Sequence, residues 1–218
     1  MDVQTLQRQD RLLIRQRVRF MVDQYEVHTQ APDGSEGELV AFVQQKRMAF
    51  KEKVTLYTDA SKERVFAQFR ARNVIDVGAT YDVTDPSGGE LGSLRKDFKR
   101  SLLRSTWYLE QPGAARAKGE ESNAALAIVR RVWEFLPFLN AIPFAWPYHF
   151  TFRSQSAPQD GAAGKPAGAE GASDGAPAFS VTKKFALRDR YQVDIADPRL
   201  DRRLVIAQAV ALDALQSR

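Results

Sequence analysis

The chain has 218 residues, 44% hydrophobic and 27% charged, with a formal net charge of +5, so it is too apolar for a disordered chain and long enough for a sizeable core. It has no cysteine, which excludes disulfides and thiolate chemistry, and only two histidines, His28 and His149, which leaves metal catalysis poorly supplied. The mild positive charge favours anionic partners but is also ordinary for a soluble protein.

The N-terminal segment, residues 1–17, carries charges throughout and contains no apolar stretch of the kind a secretory signal needs. We therefore expect a cytoplasmic protein.

From Val18 to about Gln111 the pattern is short strands with turns between them. The candidate strands are VRFMV, YEVHT, ELVAFVQ, KVTLYT, RVFAQFR, TYDVT, LGSLR and TWYLEQ. The separators APDGSEG, TDASKE and TDPSGGE contain the usual turn residues, and each follows a strand and precedes another that ends in basic residues. This pattern occurs three times and predicts a repeated hairpin unit.

The segment 119–147 has a different period. Apolar residues recur there at helical spacing: Leu126, Val129, Val132, Trp133 and Leu136. The spacing predicts an amphipathic helix that begins near Gly119 and is ended by Pro137, and the proline-rich FLNAIPFAWPY follows it. This apolar segment either touches a membrane or packs over a barrel end or the preceding helix, and we favour packing because soluble proteins rarely expose large apolar patches.

The residues 154–178 are rich in Ala, Gly, Pro and Ser and contain few large side chains, so the sequence predicts a disordered linker inside one domain, 1–218. The strand HFTFR precedes this linker, and the strands AFSVTK and YQVDIA follow it. The last stretch, DRRLVIAQAVALDALQSR, predicts a helix that is apolar all round between Leu204 and Leu212, apart from Gln208. It is too short to span a bilayer, so we expect it to be enclosed by the rest of the chain.

Ten to twelve strands and one apolar helix together favour a wide antiparallel barrel with the helix threaded through it. A β-sandwich would leave the helix unexplained. The stretch from RQRVRF to AQFRAR, the turn YDVTDPSGGELGSLRK and the closing DRRLVIAQAVALDAL resemble the LURP-one-related family, which belongs with the phospholipid scramblases to the tubby C-terminal-like superfamily. The resemblance implies a mainly β fold, a closed barrel of about twelve strands around a central hydrophobic C-terminal helix.

A search for catalytic motifs finds none: the chain lacks GxSxG, GxGxxG, HExxH and a phosphate loop ending in GK[ST]. The acidic residues Asp189, Asp194, Asp197 and Asp201 do not have the spacing of a calcium loop, and we favour pairing with nearby arginines. We therefore expect no enzyme activity, no catalytic residue, no metal and no cofactor. Nucleic acid binding is not expected either, because no recognition helix or stacking platform accompanies the positive charge.

Basic clusters are the remaining candidate site. Two groups could share one rim of the barrel and bind phospholipid headgroups: Lys46, Arg47, Lys51 and Lys53, and Arg95, Lys96, Lys99 and Arg100. The alternative, which we favour on charge pattern, is a solvated face interleaved with Glu52, Glu63 and Asp97.

Three functions follow as hypotheses. The first is a non-enzymatic barrel that binds or tethers to anionic phospholipid at the cytoplasmic membrane face, as a peripheral protein without a transmembrane span. The second is a soluble protein-interaction scaffold that docks a partner through 119–147. Scramblase-like lipid transport is the weakest, because the one long apolar run is needed for the core.

Overall fold

The computed structural model describes residues 2–19, 22–46, 53–72, 80–97, 106–114, 116–122, 148–155, 175–184 and 190–216. The strands are β1 (Arg11–Arg19), β2 (Val22–Gln30), β3 (Glu36–Lys46), β4 (Val54–Tyr57), β5 (Val65–Ala71), β6 (Thr80–Thr84), β7 (Glu90–Asp97), β8 (Thr106–Glu110), β9 (Arg116–Glu121), β10 (His149–Gln155), β11 (Pro177–Lys184) and β12 (Arg190–Ile195). The helices are α1 (Val3–Gln7) and α2 (Arg202–Gln216).

The strands form a closed antiparallel barrel in which each pairs with its neighbours in sequence and β1 pairs with β12. This confirms the predicted fold class. We call the end of the barrel where α2 begins, marked by Arg202, the entry end, and the opposite end, marked by Asp213, the exit end. Up-and-down order places the β2–β3, β4–β5, β6–β7 and β8–β9 connections at the entry end and the β3–β4, β5–β6 and β7–β8 connections at the exit end.

The helix α2 fills the barrel, as the sequence predicts. Every residue from Leu204 to Leu212 is at most 2% exposed, and the inward side chains of all twelve strands belong to the same core. Gly92 of β7 allows the close approach, since a Cβ there would lie 2.8 Å from Leu204 Cδ2 and 2.2 Å from the Glu110 carbonyl oxygen. The helix is therefore enclosed by the sheet and needs no polar face.

Polar contacts of the N-terminal segment hold the start of α2. The Arg202 side chain, 1% exposed, donates from Nε to the Gln9 carbonyl at 2.8 Å and from Nη1 to the Leu200 carbonyl at 2.8 Å. The Gln7 side chain accepts from the Arg202 backbone N–H at 3.1 Å and donates to the Leu200 carbonyl at 2.6 Å. Burial lowers the pKa of the Arg202 guanidinium, but these oxygens supply the partners that a buried cation requires.

The three turns of the predicted repeat have the same hydrogen bonds. Asp33, Asp59 and Asp85 are equally spaced in sequence, and in each turn the Oδ1 atom accepts from the backbone N–H and the hydroxyl of the serine two residues later. The hydroxyl distances are 2.6 Å, 2.5 Å and 2.7 Å. The equivalent position in the β8–β9 turn is Gln111, whose side chain instead donates to the Arg199 carbonyl and accepts from the Asp201 backbone N–H, at 3.0 Å and 2.7 Å. The fourth hairpin thus contacts the segment that leads into α2.

Several strand and helix boundaries predicted from sequence are wrong. The run VRFMV is not one strand, because β1 ends at Arg19 and β2 begins at Val22. The predicted helix from Gly119 overlaps β9, where Ala117, Gly119 and Glu121 alternate inward, and a Cβ at Gly119 would lie 2.3 Å from the Phe152 ring. The ends of the predicted linker 154–178 belong to β10 and β11, because Pro177 is tolerated as a first strand residue and Ala178 and Phe179 are buried. The apolar residues of the predicted amphipathic helix and the rest of the linker lie outside the described residues, and α1 was not predicted.

The three Asp–Ser turns should make stability depend on pH in the acid range. Hydrogen bonds from serine lower the pKa of Asp33, Asp59 and Asp85 below the ordinary value of 3.8. A lowered folded-state pKa stabilises the fold above the unfolded value, and this contribution is lost as the pH falls through the folded value. We expect Ser61→Ala to lower the melting temperature at pH 7 and to have a progressively smaller effect as the pH falls below 3.8. In the Asp59→Asn background the same substitution should show no such pH dependence; an equal dependence in both backgrounds would contradict the assignment.

The enclosed helix predicts opposite effects for two neighbouring positions. Ala209→Asp introduces a charge without a partner into the core and should cost several kcal/mol, enough to prevent folding. Gln208 is 0% exposed, and neither of its amide atoms has a hydrogen-bond partner in the described part of the chain. Gln208→Leu should therefore be neutral or stabilising by about 1 kcal/mol. Urea unfolding followed by circular dichroism measures both, and a soluble, cooperatively folded Ala209→Asp protein would refute the enclosed helix.

Candidate functional site

The predicted basic residues that the structure describes lie at the exit end. Lys46 is the last residue of β3, and Lys53, which is exposed, immediately precedes β4. Arg95 and Lys96 lie near the end of β7, which finishes at Asp97. The predicted site residues Arg47, Lys51, Lys99 and Arg100 lie outside the described residues. Strand order thus brings the described part of each basic segment, at the ends of β3 and β7 and the start of β4, to one end of the barrel.

Arg95 and Lys96, adjacent in sequence, point to opposite faces of the sheet. Leu94 belongs to the core, so alternation along β7 turns Arg95 outward and Lys96 inward. The Lys96 ammonium lies 5.8 Å from the ring centroid of Trp107, which is fully buried. The Arg95 guanidinium instead lies 4.5 Å from the ring centroid of Tyr108 on the outer wall. The two cations therefore cannot bind one headgroup from the same surface.

Two arginine side chains stack against the Tyr108 ring on the outer wall of the barrel. Arg116 of β9 places its Cζ atom 3.9 Å from the Tyr108 ring centroid, and its Nε atom lies 2.9 Å from Glu110 Oε1. The ring is only 7% exposed. Stacking on an aromatic ring restricts a guanidinium while its N–H edges stay available, so Arg95 is a pre-positioned cation beside the exit end.

The connections at the two ends of the barrel differ in composition. The entry-end turns contain Asp33, Asp59, Lys62, Glu63, Arg64, Asp85, Asp197, Arg199 and Asp201, and Arg8, Asp10, Arg202 and Arg203 lie close to them, so acidic and basic residues are nearly balanced there. In the sequence, the segments 47–53 and 98–105, which follow β3 and β7, contain more basic than acidic residues: Arg47, Lys51, Glu52, Lys53, Lys99, Arg100 and Arg104. The segments that link strands at the exit end are therefore the more basic in composition.

A buried polar cluster lies inside the exit end, where α2 approaches its last turn. Asp213, 5% exposed, accepts a hydrogen bond from the Tyr25 hydroxyl at 2.8 Å and another from the Tyr191 hydroxyl. The Lys183 ammonium lies 3.8 Å from Asp213 Oδ1 and 5.5 Å from the Tyr191 ring centroid. Three strands, β2, β11 and β12, therefore hold one carboxylate of the helix.

The sequence analysis did not predict this cluster, because it considered the last helix only for its apolar stretch from Leu204 to Leu212 and did not assign a partner to Asp213. The available signal was alternation: Tyr25, Lys183 and Tyr191 each share the inward face with apolar neighbours on the same strand. An inward lysine requires a buried anion, and Asp213 is the acidic residue on the enclosed helix.

The two histidines have different polar neighbours. The His149 ring lies between two hydroxyls, with Nδ1 at 2.7 Å from Thr182 Oγ1 and Nε2 at 3.1 Å from Thr151 Oγ1. The His28 ring lies near two carboxylates, 3.6 Å from Glu36 and 3.9 Å from Glu26. Among the residues that the structure describes, no group of three or more His, Cys, Asp or Glu is placed to hold a metal ion.

A family model described as LURP-one-related matches residues 39–213, most of the chain. The chain belongs to the LURP-one-related family. Comparison of this LURP-one-related chain with curated proteins and with solved structures gives no significant match. Within the described residues, neither helix has both the length and the hydropathy that crossing a bilayer requires.

The buried cluster predicts how the LURP-one-related fold responds to alkali. Burial, and then the Asp213 charge, raise the pKa of Tyr25 well above 10. A raised folded-state pKa means that the neutral phenol stabilises the fold below the unfolded value, and that this contribution is lost as the pH rises above about 10. Tyr25→Phe should lower the melting temperature at pH 7 by removing a buried hydrogen bond, at a cost of about 1–3 kcal/mol, but the difference from the native chain should narrow above about pH 10.

Tyr57→Phe is the control for alkali sensitivity, because Tyr57 is less buried and its hydroxyl is not bonded to Asp213. Melting temperatures measured from about pH 7 to pH 11 test the prediction. A Tyr25→Phe chain whose deficit stays constant over this range would show that Tyr25 does not carry the pH dependence.

Proposed function

We propose that this LURP-one-related barrel is a non-enzymatic protein that binds anionic phospholipid headgroups with its exit end. The observation that carries the proposal is topological: the β3–β4 and β7–β8 connections, which contain the two basic segments, join strands at the same end of the barrel. The barrel would then act as a peripheral tether at the cytoplasmic face of a membrane.

The composition of the exit-end connections supports one orientation. An anionic surface attracts these basic segments, so the barrel would face the membrane with its exit end. Each basic residue near such a surface contributes about 1 kcal/mol, and the attraction falls off within a Debye length of about 8 Å at physiological salt. Four or five cations at one end therefore suffice for reversible, salt-sensitive binding.

Scramblase-like transport has less support. The apolar residues of α2 from Leu204 to Leu212 are buried against the strands. Moving that helix into a bilayer would remove the core of the barrel. A lipid-facing role is therefore better assigned to the outer surface than to α2.

Cosedimentation with liposomes tests the proposal by comparing two cations of one hairpin. Lys53 precedes β4 at the exit end, and Arg64 precedes β5 at the entry end, and both are exposed. Lys53→Glu and Arg64→Glu make the same change in net charge. On phosphatidylserine-containing vesicles at low salt, Lys53→Glu should weaken binding about tenfold or more, whereas Arg64→Glu should have little effect.

Vesicles of phosphatidylcholine alone provide the lipid control, and high salt should abolish binding to the anionic vesicles. Equal binding to anionic and neutral vesicles at low salt would count decisively against the function. Equal losses for the two variants would preserve anionic lipid binding but exclude the exit end as its site.

A further inference from the structure

A groove of about 1030 Å³ crosses the outer wall of the barrel over β10, β11, β12 and β1. The N-terminal segment at Arg8 and Asp10 borders it, together with the turn residues Pro32 and Pro198, and His149 lies in its lining. Its volume is close to the upper end of the range for small-molecule sites in proteins, about 1,000 Å³. The groove extends towards the entry end and does not include the basic segments of the exit end.

Part of the lining is a single row of outward side chains on four neighbouring strands. Thr151 is directly opposite Ser180, Ser180 is opposite Asp194, and Asp194 is opposite Arg11. Directly opposite residues on adjacent strands have Cβ atoms about 5 Å apart, so the row spans roughly 15 Å. Two small hydroxyl residues keep the surface low at one end of the row, and Asp194 and Arg11 place a carboxylate and a guanidinium at the other.

The row offers both donors and acceptors to a ligand. Hydroxyls donate and accept, a carboxylate accepts and a guanidinium donates, which matches the vicinal hydroxyls of a polyol. The Ser180 hydroxyl makes no hydrogen bond to another described residue, whereas Thr151 is bonded to His149. Ser180 is therefore the hydroxyl of the row best placed to bond a ligand.

Among the charged residues that line the groove, Arg8 favours a ligand with an anionic group. Both lining carboxylates already face arginines, Asp194 at 3.6 Å from Arg11 and Asp10 at 3.4 Å from Arg202. Arg8 is exposed, and no carboxylate of a described residue lies within ion-pair distance of it. An exposed guanidinium at the border of a polar groove is suited to a phosphate, which it binds through paired N–H donors.

We propose that this groove binds a small phosphorylated polyol, with the hydroxyls of the ligand on the Thr151–Ser180–Asp194 row and its phosphate on Arg8. The site is independent of the lipid-binding function proposed for the exit end. Asp10 and Gln9 line the groove and also contact Arg202, so an occupied groove would also stabilise the segment that holds the start of α2.

Calorimetric titration of the full chain with glucose 6-phosphate tests the site, with glucose and inorganic phosphate as separate probes at equal ionic strength. Glucose 6-phosphate should bind with a Kd of about 1 mM or tighter, and each separate probe should bind at least about tenfold more weakly. Ser180→Val and Arg8→Gln should each weaken glucose 6-phosphate binding about tenfold, because each removes a hydrogen-bonding partner. Arg64→Gln, a charge change outside the groove, should leave it unchanged.

Ser180→Val replaces an outward strand residue with a good strand former, and Arg8→Gln alters an exposed side chain, so both variants are expected to fold. Unaltered binding in both, or no heat with glucose 6-phosphate, would overturn the proposal. Inorganic phosphate binding as tightly as glucose 6-phosphate would overturn the polyol part and identify a simple anion site. Vesicle binding by both variants should match that of the native chain, so failure of this site leaves the lipid proposal standing.

Discussion

The structure depends on the mutual burial of a helix and a sheet that could not be stable separately. A closed sheet of twelve strands has a bore too wide for its own side chains to fill, and α2 has no polar face for water. The alanines at 207, 209 and 211, each at most 2% exposed, keep the helix narrow enough for the bore. The core forms only when α2 packs against strands from the whole chain. The contacts that form the core therefore also connect the first and last segments of the sequence.

The positions of the charged residues in α2 are explained by tertiary contacts and not by the stability of the helix itself. A cation in the first turn and an anion near the last turn both oppose the helix macrodipole. Arg202 and Asp213 are nevertheless at these positions, because Arg202 binds carbonyls of the N-terminal segment and of the turn before the helix, and Asp213 binds Tyr25 and Tyr191. Each end of the helix is therefore fixed to the barrel by one buried ionic side chain. This arrangement sets both the depth and the rotation of the helix in the bore.

Much of the fold could be predicted because its strongest patterns are local. The apolar run of α2 and the alternation of strands such as β12 are visible without tertiary information. The strand β9, RAKGEE, could not be found this way, because Lys, Gly and Glu are poor strand formers and only its neighbours β8 and β10 make it a strand. The predicted basic site shows the same limit. Arg95 and Lys96 are adjacent in sequence, but the pleating of β7 turns their side chains to opposite faces of the sheet. Strand order, in contrast, brings Lys53 to the same end of the barrel although it is distant in sequence.

A filled bore has a direct consequence for function. A barrel with a hollow interior can bind a ligand inside, but here α2 and the inward side chains occupy that space, and Asp213 closes the exit end with two tyrosines and a lysine. The ligands proposed above would therefore bind the outer surface, where two chemically different regions are available. The exit-end connections are basic in sequence, which suits an extended anionic surface, because such a surface needs no shape complementarity. The wall over β10 to β1 has a groove with paired charges and hydroxyls, which suits a small polar ligand that must be oriented.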